Sequence, residues 1–166
     1  SADVPFAFQE TTGDFQTLTI QGQLTWRVAD AKKLASLLDY SVTPAGAWKS
    51  DDPRKVEERL VHTAQVLTRG VVGKLKLTEA LANSETLAAT VRDGLKASEV
   101  VKSMGLELLA LSVLSLKPTP EMARALEAET REAFQKKGDQ AMYERRTAAV
   151  EQERRVKESE LQTEVM

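Results

Sequence analysis

The sequence contains no cysteine and a single histidine among its 166 residues. A chain without cysteine forms no disulfide framework, offers no thiolate nucleophile and supplies no thiolate ligand for zinc. The histidine, His62, falls off the apolar stripe of the helix predicted around it. We therefore expect it to face water, without a partner that would orient it as a base or a metal ligand. This composition predicts neither a metal nor a cofactor, and it suits a cytoplasmic location.

Aromatic residues are few, and long apolar runs and an excess of either charge are missing. Aromatic residues make up 5% of the chain and all hydrophobic types 42%, so the core must consist mainly of leucine, valine and alanine. No apolar run approaches the ~20 residues that span a bilayer, and no signal peptide is recognisable. The 23 basic and 25 acidic residues give a net charge of −2. We therefore expect no nucleic-acid partner and no direct membrane insertion by this chain.

A complete catalytic motif is absent as well. Residues 70–74 resemble a phosphate-binding loop, but two residues rather than four separate the glycines, and Leu75 follows the lysine where serine or threonine is needed. Most acidic residues fall beside lysine or arginine on predicted helix surfaces. The pair Asp51 and Asp52 is better explained by helix capping than by acid–base catalysis. The sequence therefore predicts a protein that is not an enzyme.

Two stretches predict β-strands. Apolar and polar residues alternate over residues 18–28, which predicts a strand with one face in the core and one in water. Gly22 is the one inner position of this strand without a side chain, and it predicts a bulge or a close approach. Over residues 108–116 both faces of a strand would be apolar, which predicts burial on both faces. Pro118 then ends this strand, because proline cannot donate to a ladder.

Helices are predicted between these strands. Asp30 is placed to cap a short first helix, Asp52 to cap a second that ends at Gly70, and Ser84 to cap a third. Trp48, in the loop before the second helix, is expected to cover an edge of the core, with a binding anchor as the alternative. The inward-facing residues recur at helical spacing: Leu34, Leu37 and Leu38; Val56, Leu60, Ala64 and Leu67; Leu87, Val91 and Leu95.

A long helix is predicted from Pro120 to the end of the chain, about 70 Å if it is fully helical. Its first turns carry Met122, Ala125 and Leu126, which we expect to dock on the preceding domain. Beyond Gly138, three apolar residues recur every seven positions and predict the start of a coiled coil through which copies of the chain associate: Met142, Ala149 and Val156. Polar residues at the companion positions make this seam weak.

Together the elements predict an α+β fold, with a small mixed sheet covered by several helices and followed by a long projecting C-terminal helix. We assign residues 1–118 to the α+β domain and residues 119–166 to the charged helix that starts the coiled coil. The chain begins without methionine and ends within a helical charge pattern, so we interpret it as a piece of a longer protein.

The order of these parts resembles the stomatin–prohibitin–flotillin superfamily, whose domain is called SPFH or Band 7. Residues 18–30 are similar to that family's strand ending in Val-x-Asp, and residues 67–81 to its Arg-x-x-x-Gly-x-x-x-Leu-x-Glu-x-Leu stretch. Residues 105–126 and 141–153 look like its apolar strand, long helix and coiled-coil entry. The resemblance implies a membrane-associated scaffold that homo-oligomerises and organises or regulates membrane proteins, including proteases and channels. It implies no catalytic site.

Three functions remain open from the sequence. The first is such a scaffold, joined to its own copies by the long helix and to membrane-protein clients, in the cytoplasm or at the cytoplasmic face of a membrane. The second is a soluble cytosolic adaptor that uses the same helix to bind a different protein. The third is an enzyme, such as a hydrolase with clustered carboxylates, which requires a concave site with perturbed acids. A membrane anchor upstream of this sequence would favour the first over the second.

Overall fold

The computed structural model describes residues 1–37, 41–47 and 52–165 of the chain. The predictions made for Leu38, Trp48 and Asp51 lie outside the described residues. The chain divides into two compact units, Ser1–Thr119 and Pro120–Met166. The first unit contains a sheet covered by helices, and the second contains one long helix.

The sheet of the first unit has three strands in the order β1-β2-β3: β1 (Ala2–Thr11), β2 (Thr17–Val28) and β3 (Leu106–Pro118). Both pairs of neighbours are antiparallel. The α+β class is therefore confirmed, whereas the mixed sheet that we expected is wrong. The prediction of a mixed sheet fails because the helical segment between β2 and β3 leaves and rejoins the sheet at the same end, which makes the two strands antiparallel. Val28 pairs with Leu106, and the N–H groups of Ala29 and Asp30 both donate to the carbonyl of Gly105, at 2.8 and 2.9 Å.

The third strand is not buried on both faces, contrary to the prediction. It lies at an edge of the sheet, and Leu109 and Leu114 are 40% and 70% exposed. The pairing with β2 shifts register twice, passing over Leu109 at one shift and Leu114 at the other. Each is the extra residue of a β-bulge, and a bulge reverses the side to which later side chains point. The apolar run thus supplies a single inner face interrupted by two exposed leucines.

Five helices of the first unit lie between β2 and β3 within the described residues: α1 (Ala31–Leu37), α2 (Asp52–Val72), α3 (Leu77–Ala82), α4 (Ser84–Lys96) and α5 (Glu99–Ser103). Asp30 caps α1 as predicted, because its carboxylate accepts the N–H groups of Lys32 and Lys33 at 3.1 and 3.2 Å. Ser84 is not the cap of α4. Asn83 occupies that position without a capping hydrogen bond from its side chain, and Ser84 is the first helical residue.

The core lies between the helices and one face of the sheet. Ile20 and Leu24 of β2 are fully buried beside the inner residues of β1 and the apolar stripes of α2 and α4. Trp26, which the alternation of β2 places on the same face, is half-buried, and its buried indole N–H has no hydrogen-bond partner among the described residues. Gly22 permits a close approach, since a Cβ there would collide with the ring of Phe6 and the carbonyl of Ser112.

Candidate interaction surfaces

The second unit is the helix α6 (Pro120–Val165), 46 residues long. No described side chain of α6 is buried. The helix continues without a break through Gly138. Met122 and Leu126 in its first turns are half-buried, whereas Ala125 is exposed. Its surface carries ion pairs one turn apart, including a Glu151–Arg155 pair at 3.2 Å and an Arg154–Glu158 pair at 3.6 Å.

The three residues predicted to mediate oligomerisation lie on this helix and are exposed. Met142 and Val156 each expose about half of their surface, at 54% and 52%, and Ala149 is exposed between them. A straight α-helix drifts by about 20° per heptad, so the three residues remain within about 40° of one another. They form one narrow apolar stripe, which we call the first stripe.

A second apolar stripe was missed by the sequence reasoning. Tyr143 and Val150 are seven positions apart, and Leu161 follows Val150 by eleven. Both spacings return to nearly the same side of a helix. All three residues are exposed, and they lie about 100° around the helix from the first stripe. The signal was available in the sequence, but following one heptad register alone did not reveal it.

The outer edge of β3, which no strand of the described residues pairs, is a further surface that the sequence did not predict. Two open cavities of about 460 and 440 Å³ lie between β3 and the neighbouring helices. The first is lined by Lys96 of α4, Lys102 of α5 and Leu109, and the second by Arg92 of α4 and Val113. Neither cavity is lined by a residue of β1 or β2, so both open away from the paired side of β3.

Acidic groups in the first unit hold elements together. Buried Glu10 accepts hydrogen bonds from Arg69 Nε and Gln65 Nε2, each at 3.1 Å, which join β1 to α2. Asp14, in the turn between β1 and β2, accepts the Thr12 hydroxyl at 2.5 Å and the N–H of Leu77 at 3.1 Å. The hydrogen bond from Thr12, followed by that from Leu77, lowers the pKa of Asp14 below its ordinary value.

His62 is exposed, as expected, on the surface of α2. Across the described ranges no three side chains of the His, Asp and Glu types converge as metal ligands would. In that same part of the chain, no helix combines the length and the apolar character needed to cross a bilayer.

An antiparallel sheet backed by helices, with a long charged helix after the last strand, is the order of parts in which the sequence resembled the SPFH domain. The chain belongs to the SPFH domain / Band 7 family, whose family model matches residues 2–156. The match includes both units and thus confirms the resemblance seen in the sequence. The family is one of membrane-associated scaffolds. No curated protein matches the chain.

Proposed function

We propose that this chain is part of a non-catalytic scaffold that homo-oligomerises through α6 and organises or regulates membrane proteins. The observation that carries the proposal is the exposure of α6. Within a family of membrane-associated scaffolds, this chain presents a helix of 46 residues without a buried side chain in its described part. Such a helix gains stability when its apolar stripes pack against another helix.

The energetics favour a weak, concentration-dependent association. Each ion pair one turn apart stabilises an isolated helix by ~0.2–0.5 kcal/mol. Fully burying one valine, leucine or methionine side chain is worth ~1.5–3 kcal/mol. The first stripe offers two large apolar residues, Met142 and Val156, and the small Ala149 between them. Its contribution therefore exceeds that of the ion pairs but falls short of a full leucine seam.

The absence of native cysteine makes cross-linking a direct test of the contact. Single substitutions Met142→Cys and Val156→Cys place one thiol on the first stripe, and Val150→Cys places one on the second. Ala148→Cys is the matched control, because it lies about 80° or more around the helix from every residue of both stripes. In parallel, in-register dimers, thiols in the seam are close enough to form disulfides.

We expect the first-stripe variants to form disulfide-linked dimers under mild oxidation and the Ala148 variant to remain reduced. Efficient cross-linking at Val150 alone would show that copies of α6 associate through the second stripe rather than the first. Oligomerisation through α6 would still be supported. Equal cross-linking at all four positions would indicate random collision and count against the proposal.

The membrane role in this proposal concerns the cytoplasmic face of a membrane, reached without insertion of this chain itself. Its support is the balanced charge of the chain and the scatter of apolar residues around α6, since interfacial helices gather bulky apolar residues opposite a basic face. We expect the chain alone not to float with vesicles that contain phosphatidylserine. Flotation that decreases as salt is added would reveal a lipid-binding surface and contradict this part of the proposal.

A soluble adaptor that binds a different protein through α6 is the second candidate. The observation in its favour is the polarity beside the first stripe, where Arg145, Gln152 and Ser159 occupy the companion positions of the heptad. Polar companion positions weaken pairing between identical copies and leave room for a complementary partner. A chain that stays monomeric at high concentration would favour this candidate over the scaffold.

A further inference from the structure

The edge strand β3 offers backbone groups that nothing in the described part of the chain pairs. Between its two bulges lies a regular run, Ala110 to Val113, which faces residues 25 to 22 of β2 in unbroken register. One side of this run is bonded to β2, and its other side presents free N–H and C=O groups. A short extended segment can therefore add to the sheet here, whereas the bulges reject a long strand.

The surroundings of this run form a groove rather than a bare edge. The two cavities beside β3 follow one another along α4, with Lys96 near its last turn in one and Arg92 in the other. Exposed Leu109 lines the first cavity, and half-buried Val113 lines the second. We call this surface the β3–α4 groove. It combines backbone hydrogen-bonding groups with apolar surface for alternate side chains of a bound segment.

The charge of the groove identifies the occupant. At the end where β3 begins, Lys96 and Lys102 line the same cavity. The one acidic residue there, Glu107, is already paired with Arg27 at 2.6 Å. The two lysines are therefore not neutralised by it. At the other end Arg92 and Glu85 oppose each other in charge, so the positive end is the one at Lys96.

A second copy of the chain is a poorer occupant. The edge strands that it would offer are β1 and β3. Pro5 in the middle of β1 lacks an N–H group and cannot donate to a ladder. The one acidic residue of β3, Glu107, is paired with Arg27. The acidic residues of β1 are engaged as well. Asp3 accepts a hydrogen bond from Thr25 at 2.6 Å, and Glu10 is buried against Arg69.

We propose that the β3–α4 groove binds a short, extended, acidic segment of a partner protein, which adds as a strand to β3 and places its carboxylates near Lys96 and Lys102. This names a kind of partner for the scaffold and rests on the proposed function for its biological role. Binding in the groove does not require association through α6. A monomeric chain that still bound such a segment would separate the two proposals.

Selection of random dodecapeptides displayed on phage, with the whole chain immobilised, tests the proposal. We expect enriched peptides in which acidic and apolar residues alternate. Synthetic copies of them, followed by fluorescence anisotropy, should bind the Lys96→Glu/Lys102→Glu variant about tenfold more weakly or worse, since two attractions become repulsions. The matched control is Lys74→Glu/Lys76→Glu, which reverses two exposed lysines outside the groove and should leave the affinity unchanged.

Methylation of the peptide backbone distinguishes strand addition from simple charge attraction. An added strand directs only every second amide toward β3. N-methylation of either the odd-numbered or the even-numbered amides of the selected peptide should therefore abolish binding, whereas methylation of the other set should spare it. Equal affinity of the peptide for the groove variant and its control would overturn the proposal. An affinity that neither set of methylated amides changes would also overturn it. A selection that does not enrich acidic peptides would overturn the proposal. So would protection of residues 106–116 from hydrogen exchange that increases with the concentration of the chain alone, since it would indicate that a second copy pairs with β3.

Discussion

Phe15 has a backbone conformation that is unfavourable for its residue type. It lies in the turn between β1 and β2 with a φ of 61°, in the left-handed region, and its side chain is 88% exposed. The left-handed conformation costs an ordinary residue ~1–2 kcal/mol, and asparagine tolerates it better than most. Because the ring is exposed and gains little from packing, the side chain of Phe15 does not offset this cost.

We therefore expect Phe15→Asn to raise the free energy of unfolding by up to about 1 kcal/mol. Urea denaturation of the parent and the variant provides the measurement. Phe15→Ala is the matched control, since it removes the ring and keeps the unfavourable conformation, and it should leave the stability near that of the parent. A gain for alanine as large as that for asparagine would show that removal of the ring, and not the backbone, is responsible.

Gly22 has the opposite character, because the close approach depends on its missing side chain. A Cβ there would meet both the Phe6 ring and the Ser112 carbonyl. Gly22→Ala should destabilise the first unit by ~1–3 kcal/mol, the range for overpacking a core. Gly70→Ala in α2 is the control, since its new methyl group would meet nothing within 4 Å, and alanine favours helix. Equal melting temperatures for the two variants would contradict the proposed close approach.

At the scale of elements, the hairpin of β1 and β2 is attached to the helices through a carboxylate that titrates. Asp14 accepts hydrogen bonds from Thr12 and from the first residue of α3, and these lower its pKa in the folded state. A lowered folded pKa stabilises the protein above the unfolded pKa of ~3.9, and that stability is lost as the pH falls through the lower folded value.

We expect Asp14→Asn to lose stability relative to the parent near pH 6. The difference should shrink as the pH falls from ~4 through the lowered folded pKa, where the carboxylate of the folded parent becomes protonated. Thermal melts of both proteins from pH 6 to pH 2 provide the comparison. A difference between the two proteins that stays constant over this range would mean that the charge of Asp14 contributes nothing to the attachment.

The elements differ in how far the sequence could predict them. The strict alternation in β2 and the helical spacing in α2 and α4 predicted those elements because each exposes one face and buries the other. The exposure of β3 could not be predicted, since its two bulges are visible only in the pairing with β2 and reverse the side of every later residue. The β3–α4 groove follows the same strand, so its surface could not be predicted either.

The sequence predicted the extent of the long helix but only one of the two apolar stripes on its surface. Charged residues at nearly every turn indicated α6, and the first stripe was found from its heptad spacing. The second stripe, with Tyr143, Val150 and Leu161, escaped because its spacing changes from seven to eleven residues. The sequence thus predicted the interacting element and part of the surface through which it acts.

In the whole molecule, the two units have different proposed roles: the first binds a partner segment and the second associates with other copies of the chain. The first unit carries the packed core and the β3–α4 groove, and the second carries α6 with its exposed apolar stripes. The central claim is that α6 joins copies of the chain. Removal of the helix beyond Lys137 deletes both stripes and leaves the first unit intact.

Sedimentation velocity over a wide range of concentration tests this claim most directly, with the whole chain, a form that ends at Lys137 and the Met142→Glu/Val156→Glu variant. We predict a concentration-dependent oligomer for the whole chain and a monomer for the shortened form. The double variant should associate more weakly than the chain, because charge would have to be buried in the seam. A whole chain that remains monomeric at the highest concentration, or a shortened form that assembles equally well, would contradict the account.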